Sequence, residues 1–326
     1  MKLRTNTFCF ALLLALVLAP ASADAFNSSA WTRPRNQLWS LWSYGRVAAG
    51  TQFFPDGREA PLVSELEGDT FVDESFIAQL EFGLVDWLTL STRIPYKQVS
   101  IELDQFFIDT AAQGNLYLGL RLGIFELLEV DTPFVWSFEL GVDVPMGYTR
   151  NLTPSVGPGN LDIEAKTAFG YGFRVVDWLP AYSQVGLGLR VRSSAFAFSE
   201  SVDCNAGVDV NCIADVQPNY SDELLYLAEV GVTPLRGTLL LFAKTFGNFA
   251  FDEPDIDSGF TAANPIPVTQ RFTLLGFGGA VYPVRWWDIP YARNIGVMAD
   301  YYTTIDGRNV LNADHIYVRI EYTHNF

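Results

Sequence analysis

From Gln37 onward the chain alternates apolar and polar residues with a period of two, broken at intervals by clusters of Gly, Pro, Asn and Asp. Near its end Ile316, Val318, Ile320, Tyr322, His324 and Phe326 share one parity, while Tyr317, Arg319, Glu321, Thr323 and Asn325 share the other. Successive side chains of a strand point to opposite faces, so this pattern predicts a strand with one largely apolar side. The division recurs upstream. Leu116, Leu118, Leu120, Leu122 and Ile124 oppose Tyr117, Gly119 and Arg121, and Phe134 to Val144 separates Phe138, Leu140 and Val142 from Ser137, Glu139, Gly141 and Asp143. Ile163, Ala165, Thr167, Phe169 and Tyr171 oppose Asp162, Glu164, Lys166 and Gly170, and Val185, Leu187, Leu189 and Val191 oppose Gly186, Gly188, Arg190 and Arg192. In a soluble sandwich the apolar parity would face a core. In a membrane barrel it would face lipid, with the charged parity toward the lumen. Alternation alone does not separate the two.

Connection lengths do. Short connections fall at Val85 to Trp87, Leu127 to Asp131, Val175 to Leu179, Thr233 to Gly237 and Val284 to Ile289. Between them lie Phe54 to Thr70, Gln98 to Gln113, Met146 to Gly159, Ser199 to Ser221 and Gly247 to Pro267, which are long, and Asp306 to Asn309, which is short. The two sets alternate strictly along the chain. This predicts an all-β, antiparallel up-and-down transmembrane barrel of about twelve strands, with short periplasmic turns and longer external loops. Lipid cannot hydrogen-bond an exposed strand edge, so closure of the sheet removes a cost of several kcal/mol per unsatisfied group.

The short turns share chemistry. "VDWL" occurs at Val85 to Leu88 and again at Val176 to Leu179, with a looser echo in "RWWDIP" at Arg285 to Pro290. Asp favours tight turns, and a Trp beside such a turn suits a membrane interface. Trp87, Trp178, Trp286 and Trp287, with Tyr322 and Phe326, are therefore expected to form an interfacial girdle. The alternative is that these Trp residues close the bottom of a soluble core.

The N-terminus reads differently. Lys2 and Arg4 precede an apolar run from Phe8 to Leu18, Pro20 breaks it, and Ala21-Ser22-Ala23 offers a small-residue cleavage site. This is the pattern of a secretory signal peptide, and the run is too short for a spanning helix, which needs ~20 apolar residues. The expected organisation is a signal peptide over 1–23, a short segment over 24–35 that enters the lumen or hangs in the periplasm, and a barrel over 36–326. Cys9 would leave with the signal, and Cys204 and Cys212 remain. An even pair in an exported chain suggests a disulfide. Two free thiols, or half of a zinc site, are the alternatives.

Composition narrows the function. Only 18% of residues are charged, and the formal net charge is −16. Nucleic acid is excluded as a partner on this balance, since phosphate contacts need clustered Lys and Arg. If the parities hold, Arg93, Lys97, Arg121, Glu139, Asp143, Asp162, Glu164, Lys166, Arg190, Arg192, Glu229, Lys244, Arg319 and Glu321 line the lumen. Mixed charge there either lines a polar pore or fills a narrow interior with ion pairs. Acidic residues cluster at Glu65, Glu67, Asp69, Asp73 and Glu74, and at Asp252, Glu253, Asp255 and Asp257. They could bind calcium or bridge cations to lipopolysaccharide, or simply solvate the loops. Catalysis has little to stand on. Of two histidines, His324 sits on the apolar parity, and His315 lies beside Asp314 with no serine nominated by any motif. No catalytic residue, metal ligand or cofactor is expected.

Two resemblances follow from particular stretches. The last strand, "HIYVRIEYTHNF", resembles the C-terminal signal by which outer-membrane proteins are read by the barrel assembly machinery. In order along the chain, "FGLVDWLTLSTRIPY" (Phe82 to Tyr96), "QGNLYLGLRLGIF" (Gln113 to Phe125) and "VPMGYTRNLTPSVGPGNLDIEAKTAFGYGF" (Val144 to Phe173) resemble the outer-membrane transporter family named for meta-pathway phenol degradation. Val85 stands where that family usually has Thr, and Asn115 where it usually has Asp. The resemblance implies a barrel in contact with outer-membrane lipid and lipopolysaccharide, tied to uptake of a small, often aromatic or hydrophobic solute. It transfers no catalytic residue. A structural or surface-interaction barrel with a plugged lumen is the alternative, and a barrel lipase or protease comes third.

Overall fold

The computed structural model describes residues 28–62, 70–103, 106–204, 212, 218–259, 266–282 and 294–326. Strands β1 (Gln37–Phe53), β2 (Glu59–Pro61), β3 (Phe71–Val85), β4 (Leu88–Leu103), β5 (Phe106–Gln113), β6 (Leu116–Gly123) and β7 (Phe134–Val144) make up the first half. Strands β8 (Asp162–Val176), β9 (Leu179–Arg192), β10 (Glu223–Val232), β11 (Leu239–Ala250), β12 (Arg271–Val281), β13 (Ile295–Arg308) and β14 (Val310–Asn325) follow. Neighbours pair antiparallel in one sheet, and β14 returns to β1 from Gln37↔Asn325 to Phe53↔Val310. Among the described residues β2 is a short appendage to β1, and β5 pairs with the far half of β4. The remaining strands make a closed barrel of twelve.

Alternation decides which side of the wall each residue takes. On β9 Val185 and Leu187 are 54% and 55% exposed, whereas Gly186 and Gly188, which alternate with them, are buried. Leu118 and Leu120 on β6, Leu140 on β7, Ile163 and Phe169 on β8 and Ile316 on β14 are likewise exposed. A continuous apolar exterior this large would be an aggregation hazard in water. It is the lipid-facing band of a membrane-spanning barrel. No described helix is long and apolar enough to cross a membrane.

Asp86-Trp87 joins β3 to β4, and Asp177-Trp178 joins β8 to β9. Helical turns Ile124–Leu127 and Pro234–Gly237 occupy two of the other short connections. Asn309 links β13 to β14 in the left-handed conformation at φ 50°, which Asn tolerates better than most residues. The signal peptide, Trp286, Trp287, Glu65, Glu67 and Asp69 fall outside the described residues.

One expected loop is a hairpin instead. β4 continues to Leu103 and returns as β5, with Val99 paired to Thr110 and Ile101 to Ile108. Its exposed-side residues Gln98, Ser100 and Glu102 are polar, which reads as loop. Polarity on the outer face here marks a strand that has run beyond the apolar band. Pro95 sits inside β4 where that strand changes partner, between Arg93↔Tyr117 on β6 and Tyr96↔Gln113 on β5. A proline lacks the N–H that a continuous ladder would require.

Candidate functional site

The interior of the barrel has two unlike walls. The first is a chain of ion pairs on the inward parity of β3 to β10. Arg121 Nη2 lies 3.0 Å from Glu81 and its Nε 2.7 Å from Glu139. Lys166 Nζ lies 3.5 Å from Glu139 and 2.6 Å from Glu164. Arg190 reaches Glu164 at 2.7 Å and Glu223 at 2.8 Å, and Arg192 reaches Glu223 at 3.0 Å. Strand register builds this chain, because Arg121↔Glu139↔Lys166 and Glu164↔Arg190↔Glu223 are direct cross-strand partners. A second row carries Arg93, Tyr117, Asp143, Asp162 and Arg192, with Arg93 3.9 Å from Asp143. Lys97 pairs with Asp73 at 2.9 Å.

The second wall, on β10 to β14 and round to β3, is apolar and aromatic. Leu225, Leu227, Phe246, Leu274, Tyr302, Tyr317 and Ile77 form one buried cluster. Phe246 meets Tyr302 edge-on at 5.2 Å, and Tyr302 meets Tyr317 at 5.8 Å. Glycines admit these rings: Tyr317 lies over Gly45, and Tyr302 over Gly276, where any Cβ would collide with the ring. The walls meet at Gly188, which is overlain by both Lys166 and Leu225. Arg319 pairs with Asp300 at 2.7 Å and lies over the Tyr317 ring. Lys244 stands opposite Glu229 and 4.7 Å from the Phe246 ring, Glu229 accepts from Tyr182 Oη at 2.6 Å, and Glu321 accepts from Trp39 Nε1 at 3.2 Å.

Along their strands the fourteen residues expected to line the lumen stand on the parity opposite the exposed apolar residues. Sequence reasoning did not find Glu81, Glu223, Asp300 or Arg33 as their partners. The apolar wall is not visible in the sequence either, because on β10 ("ELLYLAEVGV") leucines occupy both parities between Glu223 and Glu229. His315 faces inward and stacks near Tyr317 at 6.5 Å.

Residues 28–36 run along the ionic wall. Ser28 Oγ donates to Glu139, Ser137 Oγ donates to the Ser29 carbonyl, Ala30 N donates to Gln184, and Arg121 donates to the Trp31 carbonyl. The Trp31 ring meets Tyr182 edge-on at 5.7 Å. Arg33 pairs with Glu81 at 2.5 Å and lies over the Trp39 ring. With this segment in place Arg121, Glu139 and Lys166 are fully buried.

At the end with long connections, residues 145–161 fold inward. Tyr148 is 2% exposed and packs with Val99 and Val156. Its hydroxyl donates to Asn115 Oδ1 at 2.7 Å and accepts from Gly159 N, and burial holds its pKa well above the ordinary tyrosine value, so it stays neutral. Asn151 binds Val202 through both backbone groups, beside the disulfide that joins Cys204 to Cys212. At the opposite end Trp178 and Phe326 are exposed, Trp87 and Tyr322 are half-buried, and the Phe326 ring lies 6.4 Å from that of Phe82.

No family model matches the chain, and no curated protein matches it. Solved structures do. The crystal structure of an outer membrane channel from Pseudomonas putida F1 superposes with a TM-score of 0.61 over 93% of this chain and 100% of that one, at 12% identity. The CymD monoaromatic hydrocarbon channel (TM-score 0.38, 9% identity, 90% of this chain and 89% of that one) and the NanC porin (0.43, 8%, 89% and 99%) align too loosely to carry an argument. The fold is therefore that of an outer-membrane β-barrel.

Proposed function

We propose that the protein is an integral outer-membrane channel for small molecules with an apolar part. The observation that carries this reading is the apolar wall of Leu225, Leu227, Phe246, Leu274 and Ile77 inside the barrel. A water-filled pore needs a polar lining. An apolar interior, once its packed side chains part, instead gives a solute a surface on which to leave water, at about 25 cal/mol per Å² buried. The resemblance to the phenol meta-pathway family supports the same class of solute. Export under a cleaved signal peptide, assembly through the strand ending at Phe326, and a girdle of Trp87, Trp178, Tyr322 and Phe326 against lipid and lipopolysaccharide complete the proposal.

Full burial of Arg121, Glu139 and Lys166 favours a second reading, a plugged structural barrel. Single-channel recording of the refolded protein in a planar bilayer, paired with entry of a small aromatic reporter into proteoliposomes, decides between them. Discrete steps or reporter entry above protein-free liposomes are expected. Neither, from protein shown to be folded, would leave the plugged barrel.

A further inference from the structure

Resting on the channel reading, we infer that the passage selects small anions with an apolar body over neutral or cationic molecules of the same shape. The chain's net charge of −16 argues the other way, so the inference depends on where charge is accessible. In the inward-facing pairs around Arg121 and Lys166 both members are buried, but in those of Lys97, Arg190 and Arg192 the cation is the more accessible member. Lys97 is 16% exposed against 9% for Asp73, Arg190 is 13% against 2% for Glu164 and 3% for Glu223, and Arg192 is 11% against 3% for Glu223. Arg93 and Asp143 are level at 11%.

Length accounts for the difference: Arg and Lys side chains outreach the shorter carboxylate side chains they pair with, so their ends can extend past them. The pairs of Lys97, Arg190 and Arg192 are thus dipoles with the positive end the more accessible. Lys97 places such an end on β4, and Arg190 and Arg192 place two on β9. The partly exposed carboxylates Glu229 and Glu321 each already accept a side-chain hydrogen bond, from Tyr182 and Trp39. A solute that carries an anionic group on an apolar body can therefore set the anion on the cationic ends, and its body meets the cluster around Phe246 once those packed side chains part. A neutral analogue gains only the second contact, and a cation is repelled by the first.

The test uses the mature protein in liposomes with three probes of one shape: benzenesulfonate, benzenesulfonamide and phenyltrimethylammonium. Each flux is corrected for protein-free liposomes. Benzenesulfonate should enter several-fold faster than the amide, and the cation slowest. A potassium chloride gradient across a planar bilayer should give a reversal potential of anion-preferring sign. Lys97→Gln and, independently, Arg192→Gln should each reduce benzenesulfonate entry while leaving the amide unchanged. If the amide or the cation enters as fast as benzenesulfonate, the inference is wrong and the channel stands. An unchanged sulfonate preference in both variants would equally overturn it. Entry of none of the three into liposomes holding folded protein would remove the channel and the inference together.

Discussion

The two walls of the lumen are held by different physics. On the ionic wall each charge is satisfied by a particular partner at a particular angle, and the free energy resides in completeness. An intact buried pair adds little over a well-packed apolar substitute, but a broken one leaves an uncompensated charge. On the apolar wall no contact is directional, and what matters is volume filled. The N-terminal segment reinforces the contrast. The bonds that residues 28–35 make with side chains of the barrel go to Glu81, Glu139, Arg121, Ser137, Gln184, Thr89 and Asp86, all on the ionic side.

The largest effect separating the walls should come from Arg121→Ala. It leaves Glu81 and Glu139 without their shared guanidinium, at a cost of about 3–5 kcal/mol. The shift in urea midpoint of the refolded barrel measures it. Arg121→Lys should recover little, since one ammonium cannot reproduce the fork that reaches both carboxylates. A wild-type midpoint for Arg121→Ala would show that water, not Arg121, satisfies those carboxylates.

Phe246→Ala should cost about 3–4 kcal/mol by opening a cavity between Leu274 and Tyr302. Phe246→Leu should cost less than about 1.5 kcal/mol because volume is nearly kept. That tolerance is what the ionic wall should lack. Equal damage from Phe246→Leu and Arg121→Lys would erase the distinction.

Next comes Gly276→Val, expected to cost about 1–3 kcal/mol by overpacking, because its Cβ would meet both the Tyr301 carbonyl oxygen and the Tyr302 ring. Tyr302→Ala in the same chain should offset part of that loss. Additive losses in the double variant would show that the Tyr301 carbonyl, not the ring, sets the cost.

The ionic wall was legible in the sequence, and the apolar wall was not. Arg121, Glu139, Lys166, Glu164 and Arg190 stand on charged parities flanked by outward leucines, so a period of two was enough to turn them inward. Their pairing needed strand register, which depends on hydrogen-bonded partners far apart in the chain. On β10 to β12 the inward residues Leu225, Leu227, Phe246 and Leu274 are as apolar as their lipid-facing neighbours, and the period vanishes. Glycines opposite tyrosines, such as Gly276 and Gly45, were the signal that an aromatic ring lies flat on that side. Residues 28–36 carry no periodicity at all. Their place follows from a polar groove that exists only after the barrel has closed.

Arg33 supplies the smallest effect and the finest test of how the segment is held. Its guanidinium is 26% exposed, lies 2.5 Å from Glu81 and covers the Trp39 ring. A partly solvated pair of this kind contributes roughly 1 kcal/mol or less, so Arg33→Gln should scarcely move the urea midpoint. The main-chain bonds at Ser29, Ala30 and Trp31 remain in that variant. The segment should therefore stay docked but open more often. A cysteine at position 29, introduced as Ser29→Cys, reports the difference through its rate of thiol labelling in the folded barrel. That rate should be slow when Arg33 is present and rise several-fold when it is Gln, with no change in stability. Fast labelling before Arg33 is altered would mean that the ionic wall receives the segment without retaining it, and the contrast between the walls would then concern stability alone.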